Sequence, residues 1–138
     1  MIIGVGTDII EIARVKKLME QPSGERFVAR VLTVKERELA ANRSGRMYEY
    51  VSGRFAAKEA VAKALACGIG REVGFQDIEI LPDLHGKPEC TLSADSIGRL
   101  NLGKPIRIHL SISHSDVMAS AFAVAEAVDT ASDGKQAG

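Results

Sequence analysis

Three side chains in this sequence have the makings of a phosphate-handling site. They are Asp8, in the opening GVGTDIIEI, and Glu59 and Lys63, in GRFAAKEAVAKAL at residues 53–65. Two carboxylates brought close together repel, and one of them holds its proton unless a cation sits between them. A hard divalent ion such as Mg²⁺ meets that need. It takes one or two protein carboxylates at ~2.0–2.1 Å and leaves its other positions to water and phosphate oxygens. Lys63, one helical turn beyond Glu59, would offset phosphate charge from the other side. The same spacing supports a second reading: a solvated Glu–Lys pair of about 0.3–0.5 kcal/mol on an alanine-rich helix, with Asp8 serving only as a helix N-cap. Spacing alone leaves both open. His114, in SISHS, divides the same way, between a phosphate contact beside Ser113 and Ser115 and a cap on backbone groups at a strand end.

Other motifs exclude more than they assign. There is no G-x-x-x-x-G-K-[ST], and Gly4-Val5-Gly6 lacks the third glycine and the βα context of a dinucleotide-binding turn. On this reading the glycines mark tight turns. His85 and His109 have no ligand-like spacing, which argues against zinc. Cys67 and Cys90 form no C-x-x-C pair and no disulfide framework, and read as small core hydrophobes in a reducing compartment.

The elements that must position these side chains can be traced along the chain. Ile2, Ile3 and Val5 predict a strand that ends at Gly6-Thr7-Asp8, placing the carboxylate where functional groups often emerge. Ile12, Val15, Leu18 and Met19 follow helical spacing up to Pro22-Ser23-Gly24, and Ser23 is placed to cap the next helix, where Phe27 and Val31 share one face and Arg26 and Arg30 another. Thr33 to Glu36 is a capping box that starts a third helix, broken between Asn42 and Gly45. The strongest helix runs from about Met47 to Cys67, rich in Ala, Glu, Lys and Leu, with Gly68 as its C′ residue. After it the period changes to two. Ile78 and Ile80, a turn at His85-Gly86-Lys87-Pro88, and Cys90 and Leu92 predict a hairpin, and a short helix around Ile97 and Leu100 follows. IRIHLSIS alternates as a half-buried strand ending at His114, and residues 117–128 read as one more strand. Helices early and strands late predict an α+β fold with helices packed on an antiparallel sheet.

Bulk properties fit one domain. The chain has 138 residues, 46% hydrophobic and 26% charged, an ordinary globular composition. Its 18 basic and 18 acidic residues leave no net field for nucleic acid or an anionic membrane, so an anionic partner must be met by a local patch. Neither MIIGVGTDIIEI nor the apolar run 117–128 reaches the ~20 residues of a membrane crossing, and the first has no basic n-region, so the expected location is the cytoplasm. The domain is expected to occupy residues 1–126, and the polar stretch 127–138 to be a disordered tail.

GVGTDIIEI, RFVARVLTVKE, GRFAAKEAVAKAL followed by GIG, FQDIEIL, HGKP and SISHS occur together in this order. The set resembles the short bacterial holo-[acyl-carrier-protein] synthase type of the 4′-phosphopantetheinyl transferase superfamily, over about residues 1–126. F-x-x-K-E-x-x-x-K with a preceding G-x-D is the superfamily's signature. The resemblance implies an enzyme that moves the phosphopantetheine arm of coenzyme A onto a serine of apo-acyl carrier protein, releasing adenosine 3′,5′-bisphosphate. It implies Asp8 and Glu59 as magnesium ligands, and Lys63 and His114 as groups that meet the coenzyme A phosphates. Arg54, Gly86 and Pro88 would line the coenzyme A pocket, and Arg14, Arg26 and Phe27 would dock the acidic carrier protein. It also implies a homotrimer with active sites between subunits. Either Glu59 or a magnesium-bound water would remove the serine proton. Two other classes remain in view: a non-catalytic nucleotide- or carrier-binding module, and a metal-dependent phosphodiesterase. The intact Asp8, Glu59 and Lys63 argue against the first. Against the second, Glu59 and Lys63 stand four apart on a helix rather than two apart on a strand.

Overall fold

Strand β1 (Ile2–Glu11) continues for ten residues in the computed structural model, which describes residues 1–42 and 45–129. It therefore passes straight through Gly6-Thr7-Asp8, where the sequence predicts its end. The β-branched Ile9 and Ile10 carry it on, and apart from a register shift between Ile2 and Gly4 it stays paired antiparallel with β5 (Met118–Ala127), with Asp8 opposite Ala121. Strand β4 (Ile106–His114) pairs with the other side of β5, giving a three-stranded antiparallel sheet in the order β1-β5-β4. A separate hairpin, β2 (Ile78–Pro82) and β3 (Pro88–Leu92), follows a 3₁₀ turn at Phe75–Asp77.

Among the described residues five helices complete the α+β architecture: α1 (Ile12–Met19), α2 (Gly24–Val31), α3 (Val34–Ala41), α4 (Met47–Ala64) and α5 (Ala94–Leu100). The capping box of α3 is present, Thr33 Oγ1 accepting from the Glu36 amide and Glu36 Oε1 from the Thr33 amide. Ser23 makes no capping bond to α2, because the backbone there closes a turn instead, Gly24 N–H donating to Gln21 O. Helix α4 stops earlier than its alanine-rich sequence predicts, at Ala64. A Schellman motif ends it: Cys67 N–H reaches Ala62 O, Ala66 N–H reaches Lys63 O, and Ala66 stands in the left-handed position directly after the cap at φ 61°, with Gly68 two residues on also at positive φ, 65°.

Small residues set how closely α4 approaches the sheet. Ala56, Ala57, Ala60, Val61 and Ala64 are buried, as are Ala119, Ala121, Ala123 and Ala125 of β5. Gly4 and Gly6 are the tightest points. A Cβ at either would fall 1.8 Å from Ala64 O or 2.0 Å from Ala60 O. These glycines are mid-strand spacers rather than turn residues, and they let the backbone of α4 rest directly on β1.

One ion pair sits inside this core. Lys58 and Glu36 have fully buried side chains. Lys58 Nζ donates to Glu36 Oε1 at 2.7 Å, Val31 O at 2.7 Å and Phe75 O at 2.9 Å, which uses all three ammonium protons. Glu36 Oε2 in turn accepts from the Ile80 amide. A single network thus ties α2, α3, α4, the 3₁₀ turn and β2 together.

The opposite face of the three-stranded sheet is uncovered. Ile3, Val5 and Ile9 of β1 and Phe122 of β5 stand 40% to 63% exposed there, an extent of apolar surface that a free sheet face rarely shows. Residues 130–138, the greater part of the expected tail, lie outside the described residues.

Candidate active site

Because side chains alternate along a strand, Asp8 shares the α4-facing side of β1 with Gly4 and Gly6. The close approach those glycines allow brings the last turns of α4 within reach. Lys63 Nζ donates to Thr7 O at 2.9 Å and to Asp8 Oδ1 at 3.1 Å. The Asp8 side chain is 19% exposed and that of Lys63 50%, so the pair opens to solvent on one side. Glu59, one turn earlier on the same helix, has no side-chain hydrogen bond among the described residues. Burial raises its carboxyl pKa above the ordinary range, the negative charge of Asp8 raises it further, and Lys63 opposes both. The structure thus brings Asp8, Glu59 and Lys63 into one electrostatic group.

Two grooves meet at this group. One, of about 430 Å³, is lined by Thr7, Asp8, Lys63, Ser113, Ser120 and Phe122. The other, of about 350 Å³, is lined by Asp8, Arg14, Leu18, Phe55, Glu59 and Met118. Asp8 borders both. The donor set suits a hard divalent cation: two carboxylates whose negative charges disfavour one another, open to the grooves. Among the described residues there is no cluster of three or more His, Cys, Asp and Glu side chains, the kind of site zinc uses.

The remaining expected residues fall into three places. Arg14 lines the second groove with Glu59. Arg26 and Arg30 are exposed on α2, whereas Phe27 beneath them is only 7% exposed. Phe27 packs on Phe55 with ring centroids 6.3 Å apart, and the Arg30 guanidinium lies 5.8 Å from its ring. It shares the inward side of α2 with Val31 and supports the arginine-bearing face from below. Arg54 lies on α4 with its guanidinium 4.6 Å from the Tyr50 ring, and its Nε is buried without a hydrogen-bond partner. Gly86 and Pro88 shape the β2–β3 connection: Gly86 takes φ 82°, its N–H donates to Asp83 O, and Pro88 opens β3 opposite Pro82. His114 ends β4 in register with Ala119, on the strand farthest from β1. Within one protomer it does not join Asp8 and Glu59.

Two supports of the site escape a reading of spacing. Gly4 and Gly6, four and two residues before Asp8, carry a signal in that period of two: one strand face, kept bare for a helix. Lys58, immediately before Glu59, carries none, since its partner Glu36 lies 22 residues away.

Comparison with known proteins shows the family of the chain. The family model of the 4′-phosphopantetheinyl transferase superfamily matches residues 4–127. A holo-[acyl-carrier-protein] synthase of Bacillus cereus (strain B4264) is 46% identical over 129 residues, covering 93% of this chain and 95% of the relative. A crystal structure of holo-(acyl-carrier-protein) synthase from Bacillus anthracis in complex with CoA (3′,5′-ADP) superimposes with a TM-score of 0.79 at 43% identity, covering 93% of this chain and 99% of that one. The Neisseria meningitidis holo-[acyl-carrier-protein] synthase gives a TM-score of 0.83 at 38% identity, covering 91% and 99%. Carboxylates from a strand and a helix, set beside a lysine in this fold and across almost the whole chain, place the protein in the 4′-phosphopantetheinyl transferase superfamily, among its holo-[acyl-carrier-protein] synthases.

Proposed function

We propose that the protein transfers the 4′-phosphopantetheine group of coenzyme A to a serine of apo-acyl carrier protein, in support of fatty acid biosynthesis. The observation that carries this reading is the seating of α4 on β1, which joins Asp8, Glu59 and Lys63 at the meeting of two grooves. Solved relatives hold the corresponding ligand: the Bacillus anthracis structure is a complex with CoA (3′,5′-ADP), and that from Helicobacter pylori is a complex with coenzyme A.

The chemistry is a displacement at the β-phosphorus of coenzyme A. The serine oxygen forms a bond to that phosphorus, the bond from phosphorus to the bridging oxygen breaks, and adenosine 3′,5′-bisphosphate leaves. Phosphoryl transfer of this kind depends on positioning and on offsetting charge at the phosphate oxygens. Mg²⁺, held by Asp8 and Glu59, would supply a Lewis acid and a template for the diphosphate. Lys63 is tied to Asp8 and Thr7 O by two of its three protons, which aims the ammonium and leaves the third for a phosphate oxygen. Either Glu59, whose carboxylate has a second oxygen beside one engaged with a cation, or a magnesium-bound water would take the serine proton. Arg54, whose Nε has no protein partner, and His114, Gly86 and Pro88 are proposed to hold coenzyme A. Exposed Arg14 and Arg26 are proposed to dock the acidic carrier protein.

A homotrimer with sites between subunits accounts for two further features. The exposed Ile3, Val5, Ile9 and Phe122 need a cover, and Phe122 also lines the groove beside Asp8, so a neighbouring protomer on that face would close the site and bring a second set of strands to it. Among the described residues no helix is long and apolar enough to cross a membrane. A cytoplasmic location fits the two free thiols, Cys67 and Cys90.

Intact-mass analysis of apo-acyl carrier protein incubated with the protein, coenzyme A and Mg²⁺ tests the reading. A phosphopantetheine adduct that forms with the metal and is lost with chelator is expected, and an unmodified carrier in both arms overturns it.

A further inference from the structure

Helix α2 is eight residues long, too short to be stable alone, and Ser23 makes no side-chain cap at its start. Its C-terminal end is held instead, and unusually completely. Gln76 Nε2, from the 3₁₀ turn, lies 2.8 Å from Ala29 O, 3.1 Å from Arg30 O and 2.8 Å from Leu32 O. Lys58 Nζ takes the carbonyl between them, Val31 O, and Leu32 N–H takes Val28 O at 2.8 Å. The two Gln76 N–H protons are thus shared among three carbonyls, and with Lys58 and the Leu32 amide each carbonyl from Val28 to Leu32 lies within hydrogen-bond distance of a donor, where a helix end normally leaves its last four to water.

The turn that carries Gln76 is itself fixed. Asp77 Oδ2 accepts from the Gly74 amide and from Arg99, Asp77 Oδ1 accepts from the Ser93 hydroxyl, and Phe75 O accepts from Lys58. The Phe75 ring packs on Phe55 at 5.3 Å, and Phe55 packs on Phe27 of α2. Gln76 thus joins a rigid platform to the helix that bears Arg26 and Arg30, while Lys58, adjacent to Glu59, joins the same helix to the carboxylate site.

We propose that Gln76 is a positioning residue for carrier-protein recognition: its side-chain amide clamps the C-terminal turn of α2, so that Arg26 and Arg30 meet the carrier at a fixed angle and distance from Glu59. The proposal rests on the reading that α2 is a docking helix. Gln76 is exposed, and Ala29 and Arg30 reach solvent, so water can take their carbonyls when the amide is removed; the buried Leu32 O loses its donor, which weakens the end of α2 without opening the core. What is lost is the fixed orientation of a short helix.

The test is the steady-state kinetics of Gln76→Met, which keeps the bulk of the side chain and removes its donors, beside Arg26→Ala, Arg30→Ala and the double variant Gln76→Met/Arg26→Ala. The expected result is a rise of roughly five- to tenfold in KM for carrier protein, with kcat and KM for coenzyme A within about twofold, in line with the loss of about one hydrogen bond's worth of binding. The double variant should be less than additive, because Gln76 acts through Arg26. If the arginine variants raise the carrier KM and Gln76→Met does not, the clamp is overturned and docking by α2 stands. If both arginine variants leave the carrier KM unchanged, the docking reading falls and the clamp with it, whatever Gln76→Met does. Equal losses for both substrates, or a fall in kcat alone, would mark a general loosening and also overturn the proposal.

Discussion

Helix α4 meets carboxylates through two lysines, and the two meetings are built in opposite ways. At Lys58 every ammonium proton has a partner, Glu36 is shared by two backbone amides, and both side chains are fully buried. At Lys63 two protons are used, the second carboxylate, Glu59, has no side-chain hydrogen bond among the described residues, and half the lysine faces solvent. Burial pulls the Lys58 ammonium below its ordinary pKa and Glu36 pulls back, whereas at Glu59 burial and Asp8 both push the carboxyl up, against Lys63 alone. The same residue types on one helix thus make a structural bolt in one place and an unfinished site in the other. The difference lies in saturation: where a charged group already has all its partners, nothing is left for a ligand.

Breaking the bolt should have the largest effect. Lys58→Met leaves Glu36 buried and unpaired, which costs about 3–5 kcal/mol of stability, measured by urea unfolding. Adding Glu36→Leu should recover part of that loss, and the double variant keeps the test readable if the single one fails to fold. A single variant as stable as the wild type would erase the contrast between the two lysines.

Glu59→Gln is the matching change at the open site and should do the reverse: kcat falls roughly 10²–10³-fold, while the protein unfolds at the same temperature or a higher one. A variant that loses activity by losing its fold would show that Glu59 belongs with the bolt.

The smallest effect is in the pH dependence of stability without metal. A carboxyl whose folded pKa is raised binds its proton more tightly in the folded state, so in this window stability falls as pH rises from the unfolded value of about 4.5 through the raised folded value. Glu59→Gln removes that cost. Its gain in Tm over the wild type should be full near neutral pH and vanish below about pH 4.5. A gain that grows as the solution is acidified would contradict the sign.

Much of this contrast was written locally in the chain. The alternation from Ile106 to Ser113, the capping box at Thr33 and Glu36, and the helix that bears Glu59 and Lys63 all depend on neighbours within a turn or a strand, and the structure agrees with each. The signature around GRFAAKEAVAKAL also named Asp8 as the distant partner. What stayed hidden depends on which element lies over which. Gly4 and Gly6 read as turn residues until α4 is seen resting on them, and β1 reads as ending at Asp8 until β5 is seen pairing on past it. Ala66 takes the left-handed position after the cap although Gly68, two residues on, is the residue propensity favours. Lys58 finds Glu36 across 22 residues, and Gln76 finds Ala29 across 47, separations at which no spacing rule applies.

The central claim is that Asp8 and Glu59 jointly hold a divalent cation. Electron paramagnetic resonance titration of Mn²⁺ as a magnesium substitute, in the presence of coenzyme A, tests it on the wild type, Asp8→Asn and Glu59→Gln. The account predicts one bound ion per protomer in the wild type and binding at least about tenfold weaker in each variant. Equal dissociation constants in all three proteins would contradict it.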